Sequence, residues 1–538
     1  MQERNSAQFF RCLVQIPILV FAIISLLSIA VIFVSWTKID YSLWNHIVDT
    51  MLVTSIVQTL AYPLIITFIS SSIGILLAWW VSFYRFPGRP VFIWLLAAPL
   101  IIPAYIFAFV YVGLFEFSGP IFTFVRNNFS FSDIFAIRAP WAYIMIMSLS
   151  LYPYVYLISL QCFRSSNRQL IEAANLVGAT PKNIFQQIAL PGAKPWLLGG
   201  MSIIFLESLS DFGAASVFSI NNLSTLIYKT WNQHFSFATA AQLSSILIFF
   251  SSLIIVLRKK SDHQLRYLNE SLDQSSFFFS SNKNKLRWMA LVCSFFVFMG
   301  FIMPITQLII WSRDQINLSQ IHDAFTLTKN SLMIAIAVGL FLCFLAYSAV
   351  LSQRFFKNWA TSVASTISCF GYGIPGTVFA VAAFLTIDYL TKIGNNFASF
   401  FSAPNFLISF TLLPLFLGLS LRFFNVAFIG QSSAIQRISK DQEQSALSLG
   451  ANIFSISRHI ISPQLFLPFL TAFSLVTIDI LKEMPMTLML RPFSWDTLAV
   501  RIYEYSSEGD WAKAALPALF LIVIASCSLL FLHKNYRE

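Results

Sequence analysis

Twelve apolar runs dominate this chain, each close to or above the ~20 residues that a helix needs to cross a bilayer. They are predicted at roughly 13–36, 57–82, 91–115, 139–162, 197–217 and 237–257, and again at roughly 288–311, 329–352, 359–387, 405–430, 468–490 and 512–532. Lipid offers no partner to backbone N–H and C=O groups, so segments this long and this uniformly apolar must be helices rather than barrel strands. The expected fold is an all-α integral membrane protein. Only 11% of the 538 residues are charged, against about 25% in soluble domains, which leaves too little polar skin for a soluble fold. The net charge of +11 does not point to nucleic acid, because the basic residues sit in short loops between apolar runs. The six cysteines are scattered without metal-ligand or disulfide spacing and read as small apolar residues. The first apolar run is longer than a signal-peptide core of ~7–15 residues and is expected to stay as a span.

A repeat with one fixed offset organises the runs. Gly178 and Gly450, Ala179 and Ala451, Ile188 and Ile460, and Pro191 and Pro463 all lie 272 positions apart. The same offset relates Phe83 to Phe355, Arg85 to Lys357, Ile102-Pro103 to Ile374-Pro375, Phe107-Ala108 to Phe379-Ala380, and Thr225-Leu226 to Thr497-Leu498. A register kept across several spans implies two homologous six-helix halves in parallel orientation. The division expected is a first half over 1–257, a basic linker over 258–287 read as a partly disordered tether, and a second half over 288–538. With the N-terminus in the cytoplasm, most Lys and Arg fall on the cytoplasmic side, among them Arg85, Arg89, Arg164, Lys182, Arg354, Arg437 and Arg458. The C-terminus then lies there too.

Two polar islands, Glu172–Pro195 within the loop 164–195 and Gln444–Leu467 within 431–467, occupy matching places in the halves. Glu172-Ala173-Ala174 favours helix, Gly178 permits a close turn, and Pro181 suits the start of a second short helix. Pro191 and Pro195 are expected to break the chain before the next span. The pattern Glu172, Ala173, Ala174, Gly178, Ile188, Leu190, Pro191 resembles the signature loop of inner-membrane permeases of binding-protein-dependent ABC importers. The second copy keeps Ala446, Gly450, Ile460 and Pro463; Gln444 stands where the pattern has Glu, with Glu443 beside it. The resemblance implies that each island is a coupling helix docking into a cytoplasmic ATP-hydrolysing subunit. The partners implied are two such subunits and a periplasmic substrate-binding protein, in a bacterial inner membrane. No GxxxxGK[ST] loop occurs, so the chain is expected to bind no cofactor itself, with ATP on the partner subunits.

Charge also lies inside the spans. Glu207 and Asp479 are 272 apart, as are Asp211 and Glu483, and within each run the two carboxylates are four apart and share a helix face. Ionisable groups at such depth are costly and mark function by default. Four carboxylates facing a central pathway would suit a hard cation, although no metal-ligand set is assigned. The competing structural reading has Asp479 and Lys482 neutralising each other while Glu207 and Asp211 cap a helix end. Acidic residues such as Glu116, Glu504 and Asp510 in the outer loops are placed to meet basic residues of a docking protein.

Around these carboxylates, DFGAASVF at 211–218, KEMPMTLMLRPFSWDTLA at 482–499 and RIYEYSSEGDWAKAALPAL at 501–519 are similar to the ferric-iron importers of the same superfamily. The function this implies is a permease subunit taking ferric iron from the binding protein by alternating access. Thiamine, phosphonates or polyamines are the alternative cargoes of related fused permeases. A rival of another class is a proton-coupled secondary transporter using Glu207, Asp211, Asp479 and Glu483 as a relay, which would have no use for paired islands. No nucleophile–base or metal constellation lies at the membrane surface, so transport rather than catalysis is expected.

Overall fold

The computed structural model describes residues 2–129, 137–165, 168–262, 278–313, 315–356, 358–400 and 408–535. Among them there is no strand, and 12 helices are long and apolar enough to span a membrane. In the first half these are Phe9–Thr37, Tyr41–Phe83, Ala104–Asn128, Pro140–Arg164, Pro181–Leu209 and Phe237–Val256. In the second they are Lys283–Arg313, Leu318–Phe355, Gly376–Asn396, Leu413–Arg437, Ile453–Lys482 and Trp511–Ser528.

The third and ninth spans depart from the continuous runs read above. A short helix Arg89–Leu95 and a tight turn Ala98–Ile101 precede an extended break at Ile102-Pro103, and only then does the third span begin. The second half repeats this with Trp359–Ser368, Cys369–Gly373 and a break at Ile374-Pro375. The cause is local: a proline disfavours helical geometry in the residue before it, so Ile102 and Ile374 sit at ψ 119° and 134°.

The prolines of the islands behave in the opposite way. Pro191 and Pro195 break nothing, because the short helix Pro181–Ile184 runs through a π-helical turn at Phe185–Ala189 into Leu190–Leu209. Pro191 falls in the first turn of that last segment, and the wider i→i+5 pattern just before it absorbs the missing N–H. Ser457–Ile461 is the same π turn 272 residues on, ahead of Pro463.

The register then slips. Helix Leu223–Asn232 is capped by Asn222, which accepts from the Thr225 N–H, and its counterpart Leu498–Ser507 is capped by Thr497, which accepts from the Val500 N–H. These caps are 275 apart, as are the left-handed residues Ser219 and Ser494. The Thr225–Thr497 match at 272 is therefore not a structural equivalence, since Thr225 lies inside its helix. The loop ahead of Thr497 has lengthened.

The core does not separate cleanly by half. The first span packs on the eighth and ninth spans and the helix Trp359–Ser368, and its Ile18, Phe21 and Ile32 are buried in a cluster drawn mostly from the second half. The seventh span reciprocates, burying Met289, Cys293 and Val297 among first-half residues. The second and fourth spans lie so close that a Cβ on Gly74 would sit 2.8 Å from the Tyr152 carbonyl oxygen, the small-residue contact by which membrane helices associate. The middle of the basic linker, 263–277, falls outside the described residues. Its end is not a free tether: Phe279 is buried against Trp79, Phe83 and Tyr84 and donates its N–H to the Phe83 carbonyl, and Arg85 and Arg89 cover the Phe278 ring.

Candidate functional site

Broken spans leave backbone groups unpaired at membrane depth, which is tolerated only where they line a cavity or are buried in protein. Four breaks converge here on one cavity of about 180 Å³. The first half contributes Leu100 and Ile102–Tyr105 from one break and Ser210–Gly213 from the end of the fifth span. The second contributes Tyr372 and, from the end of the eleventh span, Lys482–Pro485. Glu207, Asp211, Asp479 and Glu483 all line it, so the structure brings the four carboxylates together.

They are held differently. Asp211 accepts from the N–H groups of Ala214 (3.2 Å) and Ala215 (2.8 Å) and from the Tyr143 hydroxyl (3.2 Å). It caps the short helix Gly213–Val217 inside the bundle rather than an outer helix end. Glu483 is buried and receives Arg422 Nη1 at 2.9 Å. Glu207 takes one long bond from the Tyr372 hydroxyl, 3.5 Å. Asp479 has neither a hydrogen bond nor an ion pair within 4 Å among the described residues. Lys482 does not pair with it: its Nζ donates instead to the Leu100 carbonyl in the other half, 2.8 Å away. Among the described residues no three His, Cys, Asp or Glu side chains approach closely enough to hold a metal ion.

Arg422 escaped the sequence reading. It is an arginine within an apolar run, which should mark function at membrane depth, and its repeat position is Ser150, also in the cavity lining. Lys482 likewise stands opposite Ser210. Both cations of the cavity thus belong to the second half, and four carboxylates face two cations. Beyond the cavity, Phe212 packs on Tyr228 and Tyr503, which occupy one repeat position 275 apart and meet each other across the halves at 6.4 Å.

The two islands form a matched pair of surfaces. Arg168–Leu176 ends in a turn where Gly178 has φ 87°, its N–H bonds to the Asn175 carbonyl, and Ala179 N–H bonds to the Ala174 carbonyl. Lys440–Ser448 ends the same way at Gly450, φ 84°, with Gly450 to Leu447 and Ala451 to Ala446. This double bond with a left-handed residue is a helix stop that glycine adopts without strain. At the tips Leu176, Val177 and Leu449 are 86–89% exposed. Ala173, Gln444 and both glycines are exposed, whereas Glu172, Ala174, Ile188, Leu190, Ala446 and Ile460 are half-buried. Glu443, beside Gln444, receives Arg354 Nε at 2.8 Å.

Residues 70–266 match the family described as "Binding-protein-dependent transport system inner membrane component". The match lies within the first half of the chain. The permease is 24% identical over 487 residues, 89% of each chain, to the Fe(3+)-transport system permease protein FbpB 2 of Haemophilus influenzae. It is 26% identical to the sulfate transport system permease protein CysT of Escherichia coli over 39% of this chain and 77% of that one. It is 27% identical to the sulfate transport system permease protein CysW of Escherichia coli over 47% of this chain and 89% of that one. The sulfate permeases each match about one half. It is a multi-pass inner-membrane transport subunit.

The outer-loop acids carry partners within this chain. Glu116 pairs with Arg138 at 3.0 Å, Asp510 with Lys513 at 2.7 Å, and Glu504 with Arg501 at 3.2 Å. Arg491 also engages Asp496. Asp133 and Asp314 lie outside the described residues.

Proposed function

We propose that this permease carries ferric iron from a periplasmic binding protein to the cytoplasm, driven by two separate ATP-hydrolysing subunits. The observation that carries the cargo is the similarity to an Fe(3+)-transport permease over 89% of both chains. The cavity supports it, because four carboxylates outnumber two cations along its wall. A sulfate cargo, suggested by the half-length relatives, would meet the wrong excess of charge.

The islands are the coupling helices in this reading. Their Lys and Arg neighbours support a cytoplasmic position for them and for both termini, and the exposed Leu176, Val177 and Leu449 would supply apolar tips for clefts on the ATPase subunits. ATP binding would draw the two islands together, part Tyr228 from Tyr503, and open the cavity to the docked binding protein. Hydrolysis would reset it. ATP is held by the partners, and this chain performs no chemistry. The proton-coupled alternative has no role for two exposed islands of one geometry.

The test is uptake of ⁵⁵Fe(III) and of ³⁵S-sulfate by iron-starved cells with and without the gene. Loss of iron uptake alone is expected. Loss of sulfate uptake with iron uptake intact would overturn the cargo assignment.

A further inference from the structure

We propose that Lys482 is a tethered counter-ion of a cation site formed by Glu207 and Asp479, and that a hard trivalent cation enters by displacing it. This rests on the cation-permease reading above and adds how the cavity chooses by charge. The four carboxylates divide by symmetry. Asp211 is spent on two backbone N–H groups and a tyrosine, and Glu483 on Arg422. Glu207 and Asp479 share one repeat position, one from each half, and retain their acceptor capacity. Lys482 follows Asp479 by three residues on the same helix, yet its ammonium crosses to the first half and rests on the Leu100 carbonyl.

A second feature of the lining is independent of these charges. The Tyr105 hydroxyl belongs to a residue only 7% exposed, lines the same cavity, and has no hydrogen-bond partner. It is an unsatisfied polar group in the wall that Glu207, Asp479 and Lys482 also line. Among the described residues no three His, Cys, Asp or Glu side chains come close enough to hold a resident metal, and the proposal is for a site of passage.

The ammonium offsets the charge of the pair, which would otherwise be costly at membrane depth. Coulomb attraction scales with charge, so a trivalent ion outcompetes a single ammonium at two carboxylates whereas a monovalent ion gains nothing. The returning ammonium then weakens the site behind the departing ion, as passage requires. Because the tether joins the end of the eleventh span to the break before the third, its displacement also frees a contact between the halves. Ser210 at the matching position cannot do this, so the device exists once.

The experiment is Tb³⁺ binding to the purified full chain in lipid nanodiscs, read by luminescence sensitised through the cavity tyrosines Tyr105, Tyr154 and Tyr372. Lys482→Met should bind Tb³⁺ at least tenfold more tightly than wild type, and Lys482→Gln should agree with it. Lys482→Arg should stay near wild type, as should Lys392→Met, which removes a lysine 72% exposed outside the cavity. Glu207→Gln with Asp479→Asn should abolish the signal. Unchanged or weaker binding in Lys482→Met and Lys482→Gln would overturn the proposal, as would binding that survives loss of both carboxylates. Should the Tb³⁺ pattern hold while cells lacking the gene take up iron normally, the ferric assignment fails and the displacement stands. The converse result sinks the displacement alone.

Discussion

Replacing Arg422 with methionine should destabilise the bundle by about 3–5 kcal/mol, the cost of stranding a buried charge whose partner has been removed. Arg422 is 9% exposed and Glu483 6%, and Arg422 Nη1 lies 2.9 Å from Glu483 Oε1. Gly376, at the start of the ninth span, lies against both, and Glu483 stays buried even at the cavity wall. The double variant Arg422→Met with Glu483→Gln removes both charges while keeping side-chain volume. It should recover most of the loss, because a buried pair replaced as a unit is often close to neutral. Unfolding of the detergent-solubilised protein in a denaturant series measures both variants, and 3 kcal/mol is more than 100-fold in the equilibrium. A loss of about 1 kcal/mol or less in Arg422→Met, or a double variant as unstable as the single, would refute the claim that Arg422 exists to neutralise Glu483.

Three further outcomes follow from the same geometry. Gly376→Ala should mimic Arg422→Met in the unfolding assay, since its Cβ would collide with both Arg422 and Glu483; wild-type stability would show that the pair can move aside. Gly178→Pro should abolish uptake with normal membrane levels on immunoblots, because proline cannot take φ 87°; retained uptake would remove the island from the coupling role. Leu176→Ser with Val177→Ser should leave thermal stability unchanged, both side chains being almost fully exposed, while co-purification with the ATPase subunits falls at least tenfold; undiminished co-purification would deny the tips a docking role.

The spans, the repeat and the islands were legible because each rests on local pattern: apolar length, a constant offset, glycine and proline at fixed places. What was not legible depended on partners distant in sequence. Ile102-Pro103 and Ile374-Pro375 stood out as a repeated pair, but an apolar run reads through a proline as readily as it breaks there, and only a cavity to line makes the break tolerable. Pro191 and Pro195 misled in the other sense, since nothing in their spacing announces a π turn. Arg422 was hidden by the apolar run around it, and its role appears only with Glu483, 61 positions on. The first spans of the two halves sit on the opposite half, and their lipid-like surfaces carry no mark of which neighbour they choose. The four carboxylates were found by symmetry, yet their unequal roles emerge only from the bonds each makes.

The central claim is that a cation passes between the halves at Glu207 and Asp479 under the drive of ATP. It is tested most directly by ⁵⁵Fe(III) uptake in a deletion strain carrying either the wild-type chain or Glu207→Gln with Asp479→Asn, each with and without arsenate. The account predicts arsenate-sensitive uptake restored by wild type and reduced at least tenfold in the double variant, at equal membrane abundance. Equal uptake by the two chains, or restored uptake that follows the proton gradient and ignores arsenate, would contradict it.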